Sequence, residues 1–474
     1  MDTAVVWFRR DLRLHDNETL ARALADAEQV VPLYVFDPDE YAPSRYVDEP
    51  KTGPYRAEFV RESVGDLRAS LRARGGDLLV RHGDPSSVVP SVAEQFGADA
   101  VYFGTHPATE ELTVENATRS ALADREIRVE RFWTHTLYHI NDLPTPVDDI
   151  DDTYTPWRKE VERNARVRET VETPTSVSTP AFDPGELPSL ADLGVSGPSV
   201  DDRAAVDPRG GETAGRERLQ TYIWDDDNLR RYKKTRNGLL GEDFSSKFSA
   251  WLAQGCLSPR YVSEEVDRYE SERVANDSTY WLVFELLWRD FFQFQFIKHG
   301  SDFFADGGIR GVDKRWRRDE ADLRRWADGE TGVPFVDANM RELNRTGYMS
   351  NRGRQNAASF LADVLGIDWR WGAAYFESRL VDYDVCSNWG NWAYQAGVGN
   401  DSRDNYFNVL GQGERYDSDA DYITHWLPEL DDLPTEYAHR PWRLSEREQA
   451  EYGVQIGIDY PAPMLDVEEW YRMH

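Results

Sequence analysis

Cysteine is almost absent. Cys256 and Cys386 are the 2 cysteines in 474 residues and lie far apart in the chain. That excludes a disulfide-built scaffold and a cysteine-rich zinc site, and it fits a reducing, cytoplasmic setting. Lysine is scarce too: the 55 basic side chains are nearly all arginine and stand against 86 acidic ones, for a net charge of −31. Taken alone, this charge argues against a general nucleic-acid binder. It suits a halophilic, molar-salt cytoplasm, where strong hydration and self-repulsion keep a chain soluble, with a merely acidic mesophilic enzyme as the alternative. No long uncharged apolar run occurs. The most apolar stretch, about 279–297, carries Glu285, Arg289 and Asp290 and so reads as a buried helix of a soluble protein and not a membrane span. The opening Met1-Asp2-Thr3-Ala4-Val5-Val6-Trp7 enters a strand-like run with no basic region before it, so no signal peptide is expected. Despite 9 histidines there is no HExxH, no paired metal-ligand spacing and no GxSxG, which leaves metalloenzyme and hydrolase readings without support.

What is present is ample apolar and aromatic material, 40% and 12% of the chain, so the charge does not signify disorder. The length exceeds what one hydrophobic core supports and implies two domains. Over residues 1–135, β-branched runs at 5–8, 30–36, 78–81, 100–103 and 127–132 alternate with longer amphipathic stretches. This is the pattern of a Rossmann-like parallel α/β sheet. The dinucleotide fingerprint GxGxxG is missing after the first strand, where Arg9-Arg10-Asp11-Leu12-Arg13 stands instead. Residues 136–215 shift to Pro, Asp, Ser, Thr and Gly with one helix expected near 157–171, and read as a connector. Residues 216–474 read as helix after helix, and 13 of the 16 tryptophans fall in this all-α part.

Three segments of the helical part could carry chemistry. Arg230, Arg231, Lys233, Lys234 and Arg236 form a basic cluster, followed by Asp243-Phe244-Ser245-Ser246-Lys247-Phe248-Ser249, whose hydroxyls and amides suit a phosphate. A solvated loop before a helix starting near Ser249 is the plainer reading. Next, Trp281, Glu285, Trp288 and Phe292 recur at helical spacing and share one face. A carboxylate there is either paired with an arginine or sits in an apolar pocket with its pKa raised enough to donate a hydrogen bond. Finally, Met349 to Gln355 opens a helix and Asp382 to Trp392 follows one, gathering acids, asparagines and tryptophans into what looks like a polar cofactor site in an aromatic wall.

Together these segments are recognisable. Trp7-Phe8-Arg9-Arg10-Asp11-Leu12-Arg13-Leu14-His15-Asp16-Asn17 resembles the opening of the photolyase and cryptochrome family. The runs at 237–241 (Asn-Gly-Leu-Leu-Gly), 255–260 (Gly-Cys-Leu-Ser-Pro-Arg), 278–281 (Ser-Thr-Tyr-Trp) and 336–343 (Val-Asp-Ala-Asn-Met-Arg-Glu-Leu) are similar to its DASH cryptochrome branch nearly letter for letter. The resemblance spans essentially the whole chain. It implies an α/β antenna domain, a connector, and a helical domain holding folded FAD.

By that resemblance, Tyr232, Ser245, Ser246, Lys247, Phe248 and Ser249 match phosphate-binding positions. Arg354, Asp382, Tyr383, Asp384 and Asn388 match flavin-ring positions, with Arg354 paired to Asp382 and Asn388 facing flavin N5. Trp392, Trp369 and Trp316 match a chain that passes electrons inward from the surface. Arg236, Glu285, Trp288, Asn351, Arg352, Gln355 and Tyr394 match substrate positions for a flipped pyrimidine dimer. Gln355 and Tyr394 stand where the double-strand photolyases have methionine and tryptophan, as in the DASH branch, whose members favour single-stranded or looped DNA. Phe244 and Ala250 replace the more usual tyrosine and proline. Glu111 and His106 lie near the antenna segment, for methenyltetrahydrofolate or a deazaflavin; both being plain surface residues is the alternative. No metal site is expected. The implied function is a DNA photolyase acting as a monomer on dimers in single-stranded DNA. A blue-light receptor with little repair is the rival, and an RNA-binding regulatory flavoprotein a third reading resting on the basic cluster alone.

Overall fold

The computed structural model describes residues 1–205, 208–401 and 406–473. Five parallel strands, β1 (Thr3–Phe8), β2 (Gln29–Phe36), β3 (Leu79–His82), β4 (Ala100–Gly104) and β5 (Arg128–Phe132), pair in the order β3-β2-β1-β4-β5. The five expected strands are therefore all present. Their near-continuous apolar runs follow from burial on both faces. Along β1, Ala4, Val6 and Phe8 point into the large core shared with the helical domain. Val5 and Trp7 point into a second core with Val89, Val92 and Leu122. The strand order reverses between β1 and β4, which sets Arg9-Arg10-Asp11 beside Gly104-Thr105-His106 at the crevice where sheets of this kind take ligands.

The connector helix spans Tyr154–Asn164, shorter than the expected 157–171. It stops because the chain beyond it turns extended to dock on the sheet domain. Arg168 pairs with Asp142 at 2.6 Å, and Val171 and Asp16 exchange hydrogen bonds at 2.9 and 3.1 Å. Further along, Ser178 and Pro184 carbonyls accept from Val30 and Val80 backbone amides, so the connector is strapped across the α/β domain. Among the described residues no named strand follows β5, and the rest of the chain is helical from Glu212–Leu219 onward. Among the described residues no helix is long and apolar enough to cross a membrane.

The segment that replaces the glycine-rich loop docks one domain on the other. The buried Arg13 guanidinium donates to the carbonyls of His15, Asp16, Thr134 and Gly255 at 2.8–3.1 Å. Gly255 (φ +66°) has to be glycine, because a Cβ there would lie 2.0 Å from the Arg10 carbonyl oxygen. Asp16 holds Arg260 in a bidentate pair at 2.7 and 3.0 Å. His15 donates from Nδ1 to Glu212 (2.8 Å) and accepts at Nε2 from the Ser258 amide (3.2 Å), so it sits as the neutral Nδ1–H tautomer.

This latch makes stability depend on pH. Burial holds the His15 imidazole below its usual 6.5, outweighing Glu212 beside it. Burial would raise the Glu212 carboxyl, but His15, the Leu14 amide and Arg216 hold it below the usual range. Unfolded chains bind these protons more readily than the folded one, so stability falls as pH drops below about 6.5 and falls further as Glu212 protonates. The melting temperature should therefore decline between pH 7 and pH 5, and Glu212→Gln should lower it at pH 7 and steepen that decline, because the carboxylate that opposes the depression of His15 is gone.

Candidate active site

The phosphate-type loop is shaped by a residue the sequence reading overlooked. Arg218 is buried and reaches the carbonyls of Ser245 and Ser246 at 3.3 and 3.1 Å, as well as Glu242 and Asp243. Carbonyls turned toward Arg218 leave the loop amides available to a ligand on the other side, and the left-handed Lys247 (φ +60°) turns the chain there. Lys247 Nζ is buried without a hydrogen-bond partner, 3.4 Å from the Phe244 ring centroid and 4.3 Å from that of Tyr348. Burial lowers its pKa to about 7, with Glu342 opposing. Tyr232 and Phe248 are buried next to this loop around Tyr222, whereas Ser249 heads a five-residue helix and is exposed.

Tyr348 joins this loop to the second group, for the Arg354 guanidinium lies 5.7 Å from the same ring. The expected pair forms: Arg354 donates to both Asp382 oxygens at 3.0 and 2.8 Å. Asp384 caps the Val385–Gln395 helix by accepting from the Ser387 amide at 2.7 Å, and takes both contacts of Gln293 Nε2 at 2.9 and 3.1 Å. Burial works against its charge, but Arg289 and the Ser387 bonds win and keep it ionised. Asn388 donates Nδ2 to the Ala373 carbonyl at 3.0 Å, which fixes the amide and leaves Oδ1 as an acceptor. Tyr383 is the exception. Its ring faces the α/β domain under Arg56 (4.6 Å) and its hydroxyl takes the Trp389 indole proton (3.2 Å). It does not join the Asp382, Asp384 and Asn388 group.

The tryptophans grade from surface to interior. Trp316 is half-buried, Trp369 and Trp392 are buried, and Trp316 and Trp369 both donate to the Asp306 carbonyl at 3.0 and 3.2 Å. Trp369 and Trp392 sit on the neighbouring helices Trp369–Arg379 and Val385–Gln395, and Trp392 is wedged over Gly372.

On the Asp277–His299 helix, started by an Asn276 capping box, Glu285 is paired with Arg236 at 2.6 Å. The arginine-paired alternative is thus the observed one. Burial still holds the Glu285 carboxyl above its usual range, with Arg236 opposing. Trp281 is covered by Lys233 and Arg236 at 4.4 and 5.3 Å, and Phe292 is buried against Gly390, so of that face Trp288 is the aromatic left half-exposed with Glu285. Tyr394 meets Trp288 edge-on at 6.4 Å. Arg352 spans Gln412 and Asn237 and lies over Tyr416, near enough to Arg236 to feel its charge. Asn351 is exposed, and Gln355 Oε1 is buried without a partner. In the rest of the basic cluster Arg230 pairs with Asp227 and Lys233 with Asp277, while Arg231 reaches the neutral Asn228.

At the sheet's crevice, His106 is buried, its Nε2 unpartnered, beside His135 at 4.9 Å, and Glu111 is held by Arg10 at 2.9 Å. Neither is a surface residue of an acidic face. Of the positions missed, Gln293 left a trace, a polar residue two turns on from Glu285 within an apolar run. Arg218 and Tyr348 left none.

The orphaned Lys247 Nζ and Gln355 Oε1, with the carbonyl-clamped loop, fit an extended ligand carrying a phosphate and a polar ring. Residues 281–473 match the model for the FAD binding domain of DNA photolyase, and residues 4–178 the DNA photolyase model. The fold and site thus define a two-domain flavoprotein. More particularly, the chain belongs to the photolyase and cryptochrome family, in its DASH cryptochrome branch. It is 66% identical to the cryptochrome DASH of Natronomonas pharaonis over 473 residues, 100% of each chain. The solved cryptochrome of Synechocystis is 47% identical with a TM-score of 0.96, covering 100% of this chain and 99% of that one. A solved archaeal photolyase from Sulfolobus tokodaii, which holds two FAD molecules, is 26% identical with a TM-score of 0.77 and full coverage of both chains.

The packing of this site allows no added volume under Trp392. A Cβ on Gly372 would lie 2.3 Å from the indole. Gly372→Ala should destabilise the protein by about 1–3 kcal/mol, the usual cost of overpacking, read as a lower midpoint in denaturant.

Proposed function

We propose that the protein is a light-dependent deoxyribodipyrimidine photo-lyase that splits cyclobutane pyrimidine dimers, preferably in single-stranded DNA. The observation that carries this reading is the Trp288 and Tyr394 pair standing beside the half-buried Glu285, with Arg236 and Arg352 at its rim. A flipped dimer would stack on Trp288 and Tyr394, and the raised Glu285 carboxyl, once protonated, would donate a hydrogen bond to a dimer carbonyl. Arg236 and Arg352 would hold neighbouring phosphates. Reduced FAD, held there, would supply the electron that light drives to the dimer and that returns when the ring has opened. Ser245 and Ser246 would hold its phosphates, Arg354, Asp382 and Asp384 its ring, and Asn388 Oδ1 would accept from the N5 proton. Trp316, Trp369 and Trp392 would carry electrons inward from the surface.

An antenna chromophore would sit at the crevice beside His106 and Glu111. We assign it to methenyltetrahydrofolate; a deazaflavin or a second flavin is the alternative, and the absorption spectrum of the purified protein tells them apart. The protein would act as a monomer in the cytoplasm. The rival, a blue-light receptor with little repair, is favoured by Gln355 and Tyr394, which make the wall less apolar.

Illumination of the reduced holoprotein with dimer-containing single-stranded and duplex oligonucleotides tests both readings. Dimer loss with single strands ahead of duplex is expected, and none with either substrate leaves the receptor. In the same assay Glu285→Gln should keep its flavin and repair less; a parental yield would remove Glu285 from this role.

Strand preference has its own test. Flipping a base out of a duplex costs a few kcal/mol, and stacking on an aromatic returns roughly 1–3 kcal/mol, so a thinner wall covers that cost poorly. Gln355→Met combined with Tyr394→Trp should raise duplex repair relative to single-strand repair, and an unchanged ratio would refute the argument.

A further inference from the structure

Tyr154 opens the connector helix, yet its ring lies flat on the Trp288 indole, with centroids 3.6 Å apart and planes within 10° of parallel. Aromatic rings left to themselves prefer offset or edge-on contact, so a full overlap must be held from outside. Four contacts do so. The Tyr154 hydroxyl donates to the Phe284 carbonyl at 2.9 Å, one turn before Trp288. The rings of Phe284 and Phe291 meet it edge-on at 5.2 and 5.6 Å. Trp157, on the same short helix, is fully buried against Phe291 and Phe294 at 5.4 and 6.1 Å. Tyr154, kept neutral by burial, also lies near enough to Glu285 for that carboxylate to hold its hydroxyl protonated. The connector therefore reaches into the candidate substrate pocket and covers one face of its main aromatic residue, whose indole stays half-exposed.

We propose that Tyr154 is a positioning residue for substrate: stacked under Trp288, it fixes the indole plane so that an extruded pyrimidine lands on the opposite face of a ready-made two-ring slab. The inference rests on the repair reading above and adds to it that the connector is part of the binding site. A side chain whose rotation is already frozen loses no further freedom when a base stacks on it, which is where the affinity comes from. The hydroxyl is secondary, because it anchors a ring that Phe284, Phe291 and Trp157 also confine.

The test is binding in the dark, by fluorescence anisotropy, of a single-stranded oligothymidylate carrying one thymine dimer and of the same strand undamaged. The FAD-loaded parent is compared with Tyr154→Phe, Tyr154→Leu, Trp288→Ala and the Tyr154→Leu, Trp288→Ala double variant, each with its melting temperature and flavin spectrum. Tyr154→Leu should bind the dimer strand about five- to tenfold more weakly, as expected when the platform under a stacked base loosens, with the undamaged strand unaffected. Tyr154→Phe should recover most of that affinity. On the Trp288→Ala background, Tyr154→Leu should cost nothing more, because the platform it supports is gone. A purely structural role would lower the melting temperature while leaving dimer affinity at the parental value, or would weaken both strands equally, and either result overturns the proposal. So does an equal loss from Tyr154→Leu with and without Trp288. A parent that does not distinguish the two strands would instead bring down the repair reading, and this inference with it, in the first titration.

Discussion

The arrangement depends on one buried guanidinium. Arg13 stands where a dinucleotide-binding sheet would carry its glycine-rich turn, and it spends its donors on carbonyls from both halves of the chain, Thr134 on one side and Gly255 on the other. With Asp16 and Arg260 bound beside it and His15 bridging Glu212 and Ser258, the end of β1 becomes an interdomain latch. Removing one partner of a buried charge pair leaves the other unpaired, typically at a cost of about 3–5 kcal/mol, so the domains are held in one register. Everything that needs both domains at once follows from that register. The crevice between β1 and β4 opens toward the helical half, and the connector is forced back over the sheet, which leaves its short helix lying against the Asp277–His299 helix.

The helical domain gathers its site by close approach and not by long side chains. Gly372 lets the Trp392 indole lie directly on the neighbouring helix, Gly390 admits Phe292, and Gly353 admits the Asn339 amide. With backbones this close, polar groups have defined partners: Asn388 is turned by Ala373, Asp384 by Ser387 and Gln293, and Asp382 by Arg354. Side chains so fixed present one orientation to a ligand before it arrives, which is the condition for a precise site. Two of the buried atoms left without partners, Lys247 Nζ and Gln355 Oε1, lie among the residues matched to cofactor and substrate.

The acidic composition takes on a local meaning in this frame. The five arginines and lysines between 230 and 236 look in sequence like a free basic patch, but acidic partners take up Arg230, Lys233 and Arg236. The pocket rim keeps its positive character through Arg352, held by the neutral Gln412 and Asn237 and within reach of the Arg236 charge, a proximity that 116 residues of separation conceal. In a chain this acidic, such a rim is a small exception to the field around it, and it gives charge-based recognition a place without making the whole surface attractive to DNA.

The sequence by itself determined the elements and the family. Strand runs buried on both faces and the motif runs are local patterns, and local patterns survive reading one residue at a time. It also carried the Arg354 and Asp382 pair and the carbonyl of Asn388, because the motif and its geometry travel together. Tertiary structure alone decided the rest. It paired Glu285 with Arg236, turned Tyr383 away from Asp382 and Asp384, ended the connector helix at Asn164, buried His106, and set Arg218 behind the Ser245 and Ser246 loop and Tyr154 beneath Trp288. Each of these depends on contacts between residues far apart in sequence. Which face a side chain turns to is fixed by what packs against it, and periodicity along one segment holds no information about its partner.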